Sequence, residues 1–280
     1  MVAETGKLSN TQLRIISALV MVLIVIAALA FGRSSSLIAI GFVGFFVIDE
    51  IIVNFLNYKR SHVAYLVSML SYVLGYGYIN FLDSSNGFYM AFNNLGILLN
   101  IVLIAFLFIA KNDSKILFKF LNKNTFLVGL IILIPMMNLA SLIKIETDWI
   151  YYFVGLFLLN FSVDTLAWFF GRKFGKTKLW EKVSPKKTVE GLIGGVLSSV
   201  IIMFLYWKTS FGSISITLFA SFLIIACCAQ LGDLVQSKMK RQFEIKDSSN
   251  LIPGHGGVYD RVDSLLFVVP LYVFVLRNLV

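Results

Sequence analysis

The chain has 280 residues, of which 58% are hydrophobic and 14% charged, and it carries a formal net charge of +9. Soluble domains average about 45–50% apolar and about 25% charged residues, so the composition excludes an ordinary water-soluble fold and points to lipid as the solvent. Excess positive charge in a soluble protein would suggest nucleic acid; here it fits basic loops that anchor helices, and no nucleic-acid partner is expected.

A helix needs about 20 mostly apolar residues to cross a bilayer. Nine stretches meet that requirement, at 12–32, 36–56, 62–82, 87–110, 125–143, 149–170, 190–207, 214–235 and 262–279. The first contains Ala28-Leu29-Ala30, which looks like a signal-peptidase site; it is read as a retained first helix. The expected fold class is all-α, a polytopic integral membrane protein with about nine transmembrane helices. Cys227 and Cys228 are neighbours inside an apolar run, too close for a structural disulfide, and read as packing residues.

Nine spans divide the connections into two sets. One set, with Lys7 and Arg14 at its start, holds 20 of the 24 Lys and Arg residues; the other holds only Arg33, Lys144, Lys208 and Arg277. Positive loops mark the cytoplasmic side, which predicts the N-terminus inside and the C-terminus outside. Residues 112–124 are too polar to span. Ile116, Leu117, Phe120 and Leu121 would share one helical stripe with Lys115, Lys119 and Lys123 elsewhere, a pattern for a helix lying on an anionic leaflet or for a plain basic loop.

Carboxylates in apolar segments are costly and mark function by default. Asp49 and Glu50 lie in the second segment, Asp164 in the sixth and Asp233 in the eighth; Asp260, Asp263 and Glu190 flank the starts of others. All seven fall toward the basic ends of their segments, as one inward-opening polar cavity requires. Asp49 and Glu50 also suit an interfacial pair with Lys59 and Arg60.

Two basic-side loops carry chemistry. In 171–189, Ser184-Pro185-Lys186-Lys187-Thr188 precedes a helix, with Thr188 as the expected cap and a site for an anion at the helix start. In the second, 236–261, glycines at Gly254, Gly256 and Gly257 let backbone N–H groups approach phosphate. Lys238, Lys240, Arg241, Lys246 and Arg261 supply charge for a polyphosphate. Asp260 and Asp263 share a helix face, and Asp233 joins them from the neighbouring helix. Oxygen-only donors beside phosphate binders suit Mg²⁺, or a pair of hard cations. His255 is open to three roles: phosphate donor, loop structure or base.

These residues resemble the phosphatidate cytidylyltransferase (CDP-diacylglycerol synthase) family. The likeness runs through Ser237, Lys240-Arg241, Lys246-Asp247, Pro253, His255-Gly256-Gly257 and Asp260-Arg261-Val262-Asp263, and covers about 160–264 with the block from Asp164-Thr165 to Glu190-Gly191. Leu166 departs from the glycine common at its position. The resemblance implies a nine-helix homodimer in the inner membrane, its active site facing the cytoplasm. It implies Mg²⁺-dependent reaction of CTP with phosphatidate to give CDP-diacylglycerol and pyrophosphate. Residues 1–143 are then the lipid-facing or dimer-forming helices and 144–280 the catalytic region. Asp233, Asp260 and Asp263 would hold the metal and, with Lys240 and Arg241, form the catalytic set. Lys186, Lys187, Ser237, Lys246, His255, Gly256, Gly257 and Arg261 would bind the nucleotide. A sibling enzyme acting on another lipid phosphate, such as an ether lipid, is one alternative; a transporter, which would show related halves and midplane charge, is another.

Overall fold

In the computed structural model, which describes residues 9–83, 87–111, 114–145 and 147–280, each apolar stretch forms a helix. They are α1 (Asn10–Ala30), α2 (Arg33–Glu50) with a π-helical turn Ile51–Phe55, and α3 (Val63–Gly77) with a second such turn, Tyr78–Leu82. Then come α4 (Gly87–Ile109), the short α5 (Ile116–Lys123), and α6 (Val128–Ile145) after a 3-10 turn, Thr125–Leu127. The remainder are α7 (Trp149–Phe174), α8 (Val189–Phe211), α9 (Ile216–Gln242) and α10 (Tyr259–Leu279). Among the described residues, nine helices are long and apolar enough to cross a membrane. The protein is an all-α polytopic membrane protein.

The helix starts obey local rules. Ser9 and Gln12 form a capping box on α1, Thr188 Oγ1 accepts from Gly191 N at 3.2 Å on α8, and Ser215 caps α9. Each such cap satisfies a donor that has no partner within the helix. Helix α10 has no side-chain cap of its own; its partner comes from α2, as described below.

Helices α6 and α10 run through the middle of the bundle, and α1 lies at its edge with Leu19 and Leu23 outward. The tightest pairing is α7 with α8. It depends on small residues: a Cβ on Gly195 would fall 2.7 Å from Ala167 Cβ, and one on Gly191 2.7 Å from Ala167 O. The close approach therefore runs through Ala167 and Gly171, while Leu166 lines an apolar groove beside Leu29 of α1. Cys227 and Cys228 are unbridged; Cys227 is exposed and Cys228 packs against a small apolar cluster.

Most of the basic connections meet at one end of the bundle. Arg14 Nε donates to Gly254 O at 3.0 Å, and Lys115 pairs with Glu244 at 2.5 Å. That pairing holds the Glu244 carboxyl below its ordinary pKa. Lys7 lies outside the described residues. Helix α5 is present with Leu121 buried and Leu117 half-buried, but Ile116 and Phe120 are largely exposed.

A hairpin stands where the sequence suggested only a loop. Strand β1 (Lys178–Trp180) pairs antiparallel with β2 (Ser184–Thr188), Lys178 opposite Thr188 and Trp180 opposite Ser184. It is fastened by Val183, 1% exposed, which packs with Leu179 and Trp180 against Leu107, Leu234 and Val235. These strands are too short to show alternation.

Candidate active site

A single chain of polar contacts crosses the basic end of the bundle, and it can be followed residue by residue. It begins on β2, where Lys187 Nζ lies 2.6 Å from Asp233 Oδ2 of α9. The same ammonium donates to Gln230 Oε1 at 3.1 Å, one turn earlier on α9. Gln230 Nε2 then donates to Asp164 Oδ1 of α7 at 3.0 Å, and Asp164 Oδ2 accepts from Ser264 Oγ of α10 at 3.3 Å. Asn160, one turn before Asp164, donates to Ser264 Oγ at 3.0 Å.

From Ser264 the chain continues through α10. Asp263 Oδ1 accepts from Ser264 N at 2.8 Å, and Asp263 Oδ2 accepts from Lys240 Nζ at 3.1 Å. Lys240 also donates to Asp260 Oδ1 at 2.9 Å. This trio is well enclosed, its side chains exposed by 12% or less. Buried charges are tolerated where they are paired and hydrogen-bonded, and here two carboxylates share one ammonium. Asp164, Asp233 and Asp263 lie within electrostatic reach of one another.

The last stretch is a set of backbone donors. Asp260 Oδ2 accepts from Ser248 N at 2.7 Å, Ser248 Oγ at 3.0 Å and Gly257 N at 3.0 Å. Ser248 Oγ donates also to Glu50 Oε2 at 2.8 Å, and Ser249 Oγ to Glu50 Oε1 at 2.7 Å. Glu50, 2% exposed, accepts Val258 N at 2.8 Å and Tyr259 N at 2.9 Å. It is the missing cap of α10, a negative group at the positive end of a helix.

Several expected roles change. Gly257 N–H donates to Asp260, and Gly256 and Gly257 let carboxylates close in. A Cβ on Gly257 would overlap Ser248 Oγ and both Glu50 oxygens, and Gly256, with φ +86°, would carry a Cβ 2.7 Å from Asp260 Oδ2. Lys238 is not a phosphate ligand as it stands: it is 1% exposed and donates to the carbonyls of Phe106, Leu107 and Ala110, closing the C-terminal end of α4. Glu190 accepts from the backbone of Lys176 and Thr177, which shapes the hairpin entry and not the cavity. Asp49 and Glu50 part company: Asp49 makes the interfacial pair, with Arg60 at 2.7 Å and 2.8 Å.

The structure thus gathers Asp233, Asp260, Asp263, Lys240 and Lys187, with Ser237 Oγ 3.5 Å from Asp233 and Gly256 and Gly257 in the wall. Lys186, Arg241, Lys246 and Arg261 are exposed and touch none of these carboxylates. His255 is half-buried; burial and the nearby Arg261 and Arg14 hold its imidazole below the ordinary histidine value. Its Nδ1 is enclosed and has no hydrogen-bond partner among the described residues. Asn160, Gln230, Ser248 and Ser264 join a site in which sequence reasoning had not placed them, and Glu50, one of the seven carboxylates expected at the cavity, enters it as a helix cap. A signal existed for two: Asn160 stands four residues before Asp164, and Gln230, Asp233, Ser237 and Lys240 lie on one face of a helix.

The donors fit a hard cation in kind, being carboxylate oxygens without a soft ligand. No group of three His, Cys, Asp or Glu among the described residues stands ready to hold a metal ion; the Lys240 ammonium bridges Asp260 and Asp263, and the Lys187 ammonium sits on Asp233.

Two comparisons bear on the identity of this end. The phosphatidate cytidylyltransferases of Staphylococcus haemolyticus and Bacillus subtilis are 44% identical to this chain over 128 and 116 residues. Those matches cover 45% and 41% of this chain, and 49% and 43% of the relatives. A third, from Staphylococcus saprophyticus, is 42% identical over 131 residues, 46% of this chain and 50% of the relative. The chain spans about half the length of the curated relatives it matches. The model of the cytidylyltransferase family matches residues 12–279, which takes in every helix that carries the polar chain. This protein belongs to the cytidylyltransferase family.

Proposed function

We propose that this end of the bundle transfers CMP from CTP to phosphatidate, forming CDP-diacylglycerol and releasing pyrophosphate. One observation carries the reading: the carboxylates of α9 and α10 are paired to lysines of β2 and α9 and not to one another, with Asp164 of α7 joined to them through Gln230 and Ser264. A polyphosphate and its counter-ion can divide such pairs between them, the lysines turning to phosphate oxygens and the carboxylates to the cation.

In the reaction an oxygen of the lipid phosphate bonds to the α-phosphorus of CTP. The bond from that phosphorus to the oxygen bridging to the β-phosphate breaks, and pyrophosphate leaves with the electron pair. A phosphate monoester is already largely dianionic near neutral pH, its second pKa being about 6. Alignment and charge stabilisation are therefore what the protein supplies, and no proton is left for His255 to remove. Lys240 and Lys187 hold phosphate oxygens, while exposed Lys186, Arg241, Lys246 and Arg261 draw the nucleotide in. Asp233, Asp260 and Asp263 would hold Mg²⁺, which would supply charge to neutralise the triphosphate and the departing pyrophosphate.

The basic end faces the cytoplasm in this reading, with the N-terminus inside, in the plasma membrane of a bacterium. The 20-to-4 division of basic residues supports that orientation, and two copies pair as the resemblance implies. The test is pyrophosphate release by the purified protein in detergent with phosphatidate, Mg²⁺ and each of the four nucleoside triphosphates in turn. Release with CTP alone, abolished by EDTA, is expected. Silence with all four, or equal release with ATP and GTP, contradicts the assignment.

A further inference from the structure

An apolar cavity of about 380 Å³ lies between α4, α5, α6, α9 and α10, with Phe55, Leu103, Phe120, Ile132, Met239 and Leu266 in its walls. Protein interiors are packed to near crystal density, so a void of this size in a membrane protein is a place for something apolar. Its polar side chains are Asn100, Gln236 and Tyr259, and each has a hydrogen bond to the protein. Asn100 Nδ2 donates to Phe267 O at 2.6 Å, and Gln236 Oε1 accepts from Tyr259 Oη. A cavity with so few polar groups in its walls takes hydrocarbon in preference to water.

Its position says which hydrocarbon. Met239 and Tyr259 of the lining directly precede Lys240 and Asp260 on their helices, so one end of the cavity adjoins the carboxylate–lysine trio. On α10 the lining residues Tyr259 and Leu266 and the site residue Asp263 occupy one side of the helix, by the 3.6-residue period. The cavity runs from there past Ile132 and Pro135 of α6, away from the basic loops. Helix α5 covers the remaining side: Ile116, Leu117, Phe120 and Leu121 all line the cavity. It is fastened to α9 by Gln242 Oε1, which accepts from Leu117 N at 3.2 Å, and by the Lys115–Glu244 pair.

Building on the function proposed above, we propose that this cavity holds one acyl chain of the lipid phosphate substrate, with its head group at Lys240 and Asp263 and α5 as the cover over the chain. Leu117 and Leu121, the inner part of the α5 stripe, then face a substrate chain within the protein.

Two measurements test this. The first compares kcat/KM for dioleoyl and dihexanoyl phosphatidate in mixed micelles for the parent, Leu103→Trp and Ile132→Phe. Filling the cavity is expected to lower the long-chain value, through KM, by about tenfold or more relative to the short-chain value, with KM for CTP unmoved. An unchanged ratio in both variants, whether or not overall activity falls, overturns the proposal. The second uses the parent protein with phosphatidate carrying a diazirine near the middle of one chain. Labelling within 116–121 or 236–243 is expected, and labelling confined to other segments overturns the proposal. Absence of CTP turnover in the parent would instead defeat the catalytic reading, and the labelling pattern judges the cavity separately.

Discussion

Glu50 and Asp263 are both carboxylates buried at the same end of one bundle, and they are held in opposite ways. Glu50 accepts two backbone N–H groups and two serine hydroxyls from segment 248–259. Asp263 faces the ammonium of Lys240, which it shares with Asp260. Backbone amides cannot leave their carboxylate without unfolding the loop, whereas a lysine can swing to another anion on its flexible stem. Asp260 joins the two regimes: Oδ2 is locked by amides and Oδ1 meets Lys240. The contrast separates carboxylates that build the pocket from carboxylates that can trade partners inside it.

Substitutions can break this contrast. The largest effect is expected at the exchangeable side: Asp263→Asn should lower turnover by at least about 10²-fold, the scale of losing one key electrostatic group, while unfolding in detergent shifts little. Near-parental pyrophosphate release would remove Asp263 from the chemistry. At the locked side, Glu50→Gln turns an N–H group toward donors that need an acceptor, which should cost about 2 kcal/mol of stability. Thermal unfolding of the purified variant reads this; an unchanged transition would mean that loop 248–258 and α10 do not depend on Glu50. The smallest effect is expected at Asp49. Its partner Arg60 has a side chain 69% exposed, and such pairs contribute at most about 1 kcal/mol. Asp49→Asn should leave turnover within about twofold, and a larger loss would place Asp49 in the cavity after all.

The fold was legible because bilayer physics is legible: apolar runs near the length of a membrane crossing must be helices, and the described spans follow them to within a few residues except at α9, which runs on to Gln242 and so makes helix of 236–242, expected as loop. Element chemistry was also readable, as in the Thr188 cap. The β1–β2 hairpin was not, since five residues with Pro185 among them carry no periodic signal. Within the site, the Asp260–Asp263 spacing announced a shared face, but three-dimensional pairing reassigned its neighbours. Lys238 and Lys240 sit two apart and their side chains diverge by about 200° around α9, one into the end of α4 and the other onto carboxylates. The distant arrival of Glu50 at residues 248–259 had no local signature, because a cap supplied by another helix leaves the capped sequence looking uncapped. At Gly256 and Gly257 the group that approaches is a carboxylate, and at Gly254 it is the side chain of Arg14.

The most direct test is an experimental structure of the protein with CTP and Mg²⁺ bound. The account predicts the triphosphate in the pocket between α7, α9 and α10, with Lys187 and Lys240 on phosphate oxygens and released from Asp233 and Asp263. Nucleotide bound elsewhere, or bound here with both lysines still on their carboxylates, would contradict it.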